Sequence, residues 1–170
     1  MSNGLQPHVQ RVSAAQAEAA RGLVLTAAQA RDTGDIAFHV DNAMDAPDGD
    51  AMLVMLGWTV IGFYRLDDPQ PACAQQAVDR HTVTLRTFAL DRAWQGRGPG
   101  APTLHACFAN LARRRPDRRL LVLNVHGAYT VAAPLYRRTG FIDSGACLPG
   151  GPAGPQCLLL RALGVGQCPP

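Results

Sequence analysis

Lysine is absent from this 170-residue chain, so all 16 of its basic Lys/Arg positions are arginine. The absence excludes the nucleotide-binding pattern G-x-x-x-x-G-K-[ST], in which a lysine contacts the phosphates. Glutamate is nearly absent, because Glu18 is the only one among 13 acidic residues. The net charge of +3 is too small an excess to indicate, by itself, a protein that binds nucleic acid. The composition, rich in arginine and alanine, is typical of a GC-rich bacterial genome.

Long apolar runs are missing as well. No stretch reaches the 18 or so apolar residues that a membrane span needs, although 47% of the chain is hydrophobic. We therefore expect a globular protein with no membrane partner. The first residues, Met-Ser-Asn-Gly-Leu-Gln, lack the charged and apolar regions of a signal peptide, which predicts a cytoplasmic location. The five cysteines form no C-x-x-C pair, so we expect reduced thiols and no metal site.

The most informative segment is Gln95-Gly96-Arg97-Gly98-Pro99-Gly100. It follows an apolar run, His81–Leu90, that is typical of a strand. Beyond it, the spacing i, i+3, i+4, i+7 of four apolar residues predicts a helix face: Leu104, Cys107, Phe108 and Leu111. A glycine-rich turn at the start of a helix presents backbone N–H groups at the positive end of the helix dipole. The segment is therefore a candidate site for a pyrophosphate.

The spacing of the glycines distinguishes this loop from other phosphate loops. The dinucleotide pattern G-x-G-x-x-G is incomplete, because Thr103 takes the place of its last glycine. The loop instead matches Q/R-x-x-G-x-G/A at Gln95, Gly98 and Gly100. Alone, such a match occurs in many ordinary turns.

The second half of the chain supplies a second motif. Leu120–Val125 is a nearly continuous apolar run, as in a buried parallel strand. A short helix is predicted next, with one face formed by Ala128, Val131, Ala132 and Leu135. It leads into L-Y-x-x-x-G-F at 135–141, where Gly140 has the position of a helix C-cap. The two motifs, in this order, resemble the GNAT superfamily of acyl-CoA-dependent N-acetyltransferases over residues 51–162.

Upstream and downstream patterns complete the predicted order of elements. Ser13 is a predicted N-cap for a helix over residues 14–21, and residues 35–46 form a further helix. Residues 51–56 and 59–66 read as a hairpin around Gly57-Trp58, and 141–147 and 156–163 as a last pair of strands. This order predicts a mixed α/β sheet.

The resemblance implies an α/β fold with a mixed, mostly antiparallel sheet. Two central parallel strands would splay apart, and helices would flank the sheet. It implies one acyltransferase domain over residues 1–170, with the N-terminal helices of 13–46 on the acceptor side. Residues 164–170 are predicted from the sequence itself to form a flexible tail. The implied activity is transfer of acetyl from acetyl-CoA, as co-substrate, to a primary amine of a small molecule or peptide by direct attack. No metal is implied, and a homodimer stays open.

Site residues follow from the resemblance position by position. The pantetheine of acetyl-CoA would pair with the backbone of Phe88, Ala89 and Leu90. The pyrophosphate would bind the loop that consists of Gln95, Gly96, Arg97, Gly98, Pro99, Gly100 and Ala101. Tyr136 matches the tyrosine that protonates the leaving thiolate, a role that suits a phenol because its usual pKa of about 10 exceeds that of a thiol.

The sequence departs from the family pattern at two positions. Tyr129 stands where many members have an asparagine that contacts the cofactor. The frequent glutamate base is also missing, because no carboxylate lies between Asp79 and Asp91. Deprotonation of the amine would then require a water relay or the side chain of His126, which lies just beyond the buried strand. A histidine on the protein surface, with no catalytic role, explains His126 equally well.

Two further classes of function stay open. The missing base favours an acyl-CoA-binding regulatory module that has lost catalysis, whereas Tyr136 favours an enzyme. The arginines between 113 and 119 would suit a nucleic-acid binder, but the C-terminal end of a helix attracts cations in any case. Asp41 and Asp45, one helical turn apart, would hold a cationic acceptor or simply face solvent. Trp58 and Tyr64 would line the acceptor site or pack in the core.

Overall fold

The computed structural model describes residues 6–46, 49–68, 80–126, 132–149 and 154–164. Within these residues the chain forms seven strands and five α-helices, and a 3-10 turn at Ala14–Gln16 precedes the first helix. The strands are β1 (His8–Arg11), β2 (Asp50–Leu56), β3 (Thr59–Asp67), β4 (Thr82–Leu90), β5 (Leu120–His126), β6 (Ile142–Leu148) and β7 (Gln156–Ala162). The helices are α1 (Ala17–Arg21), α2 (Ala27–Thr33), α3 (Ile36–Asp45), α4 (Gly100–Arg114) and α5 (Ala132–Arg138).

The strands form one mixed sheet in the order β1-β2-β3-β4-β5-β7-β6. The pairs β1–β2, β2–β3, β5–β7 and β6–β7 are antiparallel, whereas β4 and β5 are parallel. The parallel register joins Thr82–Thr84 to Leu120–Val122, although both strands continue beyond it. The predicted fold class, a mixed sheet with a central parallel pair, is confirmed.

The chain divides into two compact units, residues 1–67 with 85–107 and residues 68–84 with 108–170. In the first unit, α1 and α3 pack on β2 and β3. Ile36, Val40 and Ala43 form the buried face of α3, as the helical period requires, and they share a core with Leu53 and Phe63. The single domain over residues 1–170 stays a prediction.

Aromatic side chains organise the core of the second unit. The ring of Phe141 lies 5.9 Å from that of Phe108 and 5.5 Å from that of Tyr136, centroid to centroid. The guanidinium of Arg161 sits 3.8 Å above the Phe108 ring, within the range of a cation–π contact. Strand β7 is thereby joined to the C-terminal half of α4.

The helices begin with different capping arrangements. Thr26 and Asp35 cap α2 and α3, because their side chains accept hydrogen bonds from the N–H groups of Gln29 and Ala37. Ser13 occupies the predicted N-cap position, but the turn that it begins is 3-10 rather than α. Its side chain makes no capping bond, because its hydroxyl donates to Gln16 Oε1.

Two predicted segments lie outside the described residues: the start of the helix before Ala132, and the tail from 165 onward. The helices that the structure describes include none that is both long enough and apolar enough to cross a membrane.

Gly62 of β3 marks a close approach of backbone to backbone. A Cβ atom built there would lie 2.6 Å from the carbonyl oxygen of Ala89 and 2.7 Å from a methyl carbon of Leu90. We expect Gly62→Ala to lower the free energy of unfolding by about 1–3 kcal/mol, the usual penalty for overpacking. Urea denaturation would measure the change.

Gly22 provides the matched control for this substitution. Its φ of −77° suits any residue, and a Cβ there would meet only ordinary contacts of 3.5 and 3.6 Å. Gly22→Ala should therefore leave stability unchanged or raise it slightly. Equal stabilities of the two alanine variants would contradict the close packing of Gly62.

Candidate functional site

The glycine-rich loop leads from the end of β4 into α4, as the sequence predicts. Gly96 and Gly98 have φ values of +72° and +87°, a conformation that glycine adopts at little cost. A Cβ built on either residue would meet no atom within 4 Å. Helix α4 begins at Gly100. The loop therefore presents bare backbone to open space at the N-terminus of a 15-residue helix, which fits a phosphate group.

The side chain of Gln95 joins this loop to the end of β4 and to α2 through hydrogen bonds. Its Nε2 donates to the carbonyl oxygen of Leu90 at 2.8 Å and also to the side-chain oxygen of Gln29. Gln29 is 9% exposed on α2. The side-chain nitrogen of Gln95 is therefore engaged by contacts within the protein. Sequence reasoning missed Gln29, because a glutamine within a helix gives no sign that it is buried.

The other loop residues divide into exposed and partly buried ones. Arg97 is exposed, and its guanidinium lies 5.7 Å from the centre of the Trp94 ring. Pro99 and Ala101 are partly buried, and the carbonyl of Pro99 accepts from the N–H of Thr103 at 2.9 Å. This bond closes the first turn of α4, where proline is well tolerated.

The strand before the loop contains a backbone irregularity. Thr87 has a φ of +52°, which is rare for a β-branched residue and costs about 1–3 kcal/mol. The three residues predicted to contact pantetheine follow it directly. Phe88 is half-buried, whereas Ala89 and Leu90 are buried. The backbone conformation of Thr87 therefore sets the path of the backbone at 88–90. No feature of the sequence predicts this conformation.

Asp91, which sequence reasoning did not select as a site residue, fastens the end of β4 to the α1–α2 connection. Its carboxylate accepts from the N–H of Val24 at 2.8 Å and from the N–H of Ala93 at 2.9 Å. In return, the N–H of Arg92 donates to the carbonyl of Val24 at 2.7 Å. An aspartate directly after a strand is a common turn former, and this was the available signal.

We expect Asp91→Ala to lower the free energy of unfolding by about 1–3 kcal/mol, because two backbone N–H groups lose a charged acceptor. Hydrogen exchange at the amide of Val24 should accelerate at the same time. Asp35→Ala is the control, since it removes one capping bond of 2.9 Å and leaves the Val24 amide untouched. Unchanged exchange at Val24 in the Asp91 variant would contradict this role.

Tyr136 is in the second unit, on α5, and is 7% exposed. Its ring meets that of Phe141 edge-on, with an interplanar angle of 73°. Hydrogen bonds at the end of α5 involve the backbone carbonyl of Tyr136, which accepts from the N–H of Phe141 at 3.1 Å and from the hydroxyl of Thr139 at 3.0 Å. Gly140 follows with a φ of +96°, which confirms the predicted C-cap. These contacts fix the position of the tyrosine backbone.

His126 is the last residue of β5 and is half-buried. Its Nε2 lies 3.5 Å from the side-chain nitrogen of Gln156, the residue of β7 that pairs with His126 in the antiparallel register. Its Nδ1 is buried and has no hydrogen-bond partner among the described residues, which stop at His126 and resume at Ala132. The side chain of Asn124, the other polar residue of this strand end, is exposed.

The remaining acceptor-site candidates have local roles. Asp41 pairs with Arg21 at 2.6 Å, and the hydrogen bond to this carboxylate raises the pKa of the Arg21 guanidinium. Asp45 is exposed. Trp58 is 99% exposed in its turn, whereas Tyr64 is fully buried. The structure thus favours the solvent-facing reading of Asp41 and the core reading of Tyr64.

Part of the arginine cluster between residues 113 and 119 forms ion pairs within the protein. Arg115 and Arg118 each contact the carboxylate of Asp68, at 3.0 and 2.8 Å. Arg113 and Arg114 lie in the last turn of α4, where cations oppose the helix dipole. Both observations give the cluster a structural role.

Solved structures of acetyltransferases match almost the whole chain. The aminoglycoside acetyltransferase AAC(6')-Ib, bound to paromomycin and acetyl-CoA, matches with a TM-score of 0.75 and 14% identity over 92% of this chain and 93% of its own. RimL, an α-N-acetyltransferase of a ribosomal protein, matches with 0.72 and 16% identity over 93% and 91%. A ribosomal-protein alanine N-acetyltransferase from Escherichia coli matches with 0.67 and 15% identity over 96% and 99%.

A further match is an acetyltransferase of the GNAT family from Streptococcus pneumoniae, with a TM-score of 0.64 and 15% identity over 94% of this chain and 100% of its own. No protein-family model and no curated protein sequence matches the chain. At these identities the matches establish the fold alone. The chain has the fold of the GNAT acetyltransferases, as its two motifs predict.

Proposed function

We propose that this protein is an N-acetyltransferase that takes acetyl-CoA as co-substrate and transfers the acetyl group to a primary amine. The observation that carries the proposal is the glycine-rich loop, with its positive φ values at Gly96 and Gly98 and its open space. That loop starts a long helix on a fold whose solved examples include complexes with acetyl-CoA and CoA.

In the proposed reaction, the loop backbone from Gly96 to Gly100 binds the pyrophosphate, and the strand backbone at 88–90 binds the pantetheine. Gln95 and Asp91 hold the two segments in place through their bonds to Leu90, Val24 and Ala93. Nucleophilic attack by the amine on the thioester carbonyl requires a neutral amine and ends with a thiolate that must be protonated. We assign the second proton transfer to the Tyr136 hydroxyl.

The proposed acceptor is a primary amine of a small molecule or of a peptide. Both classes occur among the matched proteins, which act on aminoglycosides or on ribosomal proteins. The test is a screen of amines of both classes, with release of free CoA as the signal. Release of CoA that depends on one class of amine supports the proposal. Tight binding of CoA with no turnover would favour the alternative, a regulatory module that binds acyl-CoA without catalysis.

The alternative rests on the missing base. None of the residues of β4, Thr82–Leu90, is a carboxylate, and the ring nitrogens of His126 are buried or near Gln156. Because the ring nitrogens of His126 are not openly accessible, we favour a water relay over His126 as the acceptor of the proton that the amine loses. The two paths make different predictions for the dependence of the rate on pH.

If His126 is the base, the pH–rate profile of acetyl transfer should contain an inflection that depends on this side chain. His126→Ala would remove this inflection and slow transfer at neutral pH by about 10²–10⁴-fold. If water relays the proton, the variant should keep nearly full activity. A pH–rate profile of both proteins with one acceptor distinguishes the paths, and identical profiles would exclude His126 as the base.

A further inference from the structure

Two cysteines face each other across the last two strands. Cys147 of β6 and Cys157 of β7 are paired directly in the antiparallel register. Residues opposite each other in such a pair have Cα atoms about 4.5–5.5 Å apart and side chains on the same face of the sheet. A disulfide needs a Cα separation of about 4.4–6.8 Å. The backbone is therefore already in place for a bond between the two sulfurs.

The surroundings allow the bond to form and to break. Cys147 is exposed, and Cys157 is partly exposed, so solutes in water reach at least the first thiol. β6 is the terminal strand of the sheet, and a bulge between Asp143 and Cys147 interrupts its register. Gly145 in this bulge has a φ of +75° and open space around it. A small adjustment of the strand to the geometry of a disulfide should therefore cost little.

The two thiols are not equivalent. Partial burial raises the pKa of the Cys157 thiol, and the adjacent Cys147 raises it further. Because the thiolate is the reactive form, a raised pKa makes Cys157 the slower nucleophile at neutral pH. Cys147 is the more exposed of the two and is the thiol that an oxidant meets first.

We propose that Cys147 and Cys157 form a reversible redox site, a cross-strand dithiol that low-molecular-weight disulfides oxidise to an intramolecular disulfide. This is a modification site separate from the acetyl-transfer chemistry, and for these two cysteines it modifies the expectation of reduced thiols. In an intracellular protein, a disulfide that forms is usually transient and sensitive to the redox state.

The oxidation proceeds in two exchange steps. The thiolate of Cys147 attacks one sulfur of the small disulfide, which forms a mixed disulfide and releases one small thiol. Cys157 loses its proton to water and attacks the sulfur of Cys147, which releases the second small thiol. The small disulfide is thereby reduced to two thiols while the two cysteines are oxidised, and an excess of the small thiol reverses both steps.

The sequence makes the test direct. Cleavage after arginine leaves both cysteines on one peptide, Thr139–Arg161, whereas each of the other three cysteines lies on a different peptide. The folded full-length protein is treated with glutathione disulfide, and its remaining thiols are alkylated. The peptide is then expected to lose two hydrogen atoms in mass and to take up no alkylating agent. Glutathione attached to this peptide without an internal link would overturn the proposal.

Two variants test the order of the steps. Cys157→Ser should accumulate glutathione on Cys147, because the second attack is blocked. Cys147→Ser should leave Cys157 largely free for alkylation. Faster glutathione uptake by Cys147→Ser than by Cys157→Ser would reverse the assigned roles and contradict the argument from burial. Cys107, which is 0% exposed, serves as the internal control and should stay unmodified in the folded protein.

The unfolded chain provides the last comparison. In denaturant the two cysteines are no longer held opposite each other, so the internal link should form more slowly than in the folded protein at the same thiolate fraction. Equal or faster formation in the unfolded chain would show that the strand register does not promote the bond.

Discussion

Gly98→Val is expected to weaken CoA binding by about 10–100-fold while the protein stays folded. In the proposed complex, backbone N–H groups of the loop donate charge-assisted hydrogen bonds to the pyrophosphate, and each such bond contributes about 1.5–3 kcal/mol. Valine resists the φ of +87° that Gly98 adopts, and its methyl groups would occupy the open space in front of the backbone. The loss of one bond accounts for the expected change, since 1.4 kcal/mol corresponds to a factor of ten. Isothermal titration calorimetry with CoA would measure it.

Gly154→Val is the matched control. Gly154 has a φ of +91°, and a Cβ there would also meet no atom within 4 Å. The substitution therefore imposes the same backbone strain at a position that the proposal does not connect with the cofactor. Its CoA affinity should equal that of the wild type. Equal losses of affinity in both variants would mean that strain weakens binding indirectly. Full affinity in a folded Gly98→Val protein would contradict the placement of the pyrophosphate.

The fold was predictable because its signals are local and repeat along the chain. The apolar runs at 81–90 and 120–125 match β4 and β5 closely, and the buried face of α4 follows from the helical spacing of Leu104, Cys107 and Leu111. The order of a glycine-rich loop, a buried strand and a tyrosine-containing helix then points to one fold. Periodicity and turn chemistry are sufficient for such features, since each depends on neighbours in sequence.

The supporting residues of the site were not predictable for the opposite reason. Gln29 and Gln95 are 66 positions apart, and Val24 and Asp91 are 67 apart, so no local pattern links either pair. The positive φ of Thr87 contradicts the preference of a β-branched residue, and only the surrounding packing can hold it there. The cross-strand pairing of Cys147 with Cys157 likewise depends on the register of β6 and β7. Spacing along the chain carries no information on these contacts.

Tyr136→Phe is expected to lower the rate of acetyl transfer by about 10²–10⁴-fold and to leave CoA affinity nearly unchanged, because general acid catalysis typically contributes a factor of this size. The variant keeps the ring, which is 7% exposed and packs edge-on against Phe141. The bonds to its carbonyl from Phe141 and Thr139 are also retained, since they involve the backbone of residue 136. Only the phenolic oxygen and its proton are removed. Single-turnover measurements with saturating acetyl-CoA and amine would follow the chemical step.

Tyr136→Leu separates the chemical role of the hydroxyl from the packing role of the ring. Leucine loses both, so it should lower the melting temperature more than phenylalanine does. If the hydroxyl protonates the leaving thiolate, the two variants should be slowed to a similar degree despite their different stabilities.

A further test uses acyl thioesters whose leaving thiols have low pKa values. Such thiolates need less help from an acid, so the difference between wild type and Tyr136→Phe should shrink as the pKa of the leaving thiol falls. A difference that is independent of the leaving thiol would remove Tyr136 from the proton transfer and leave it a role in positioning alone.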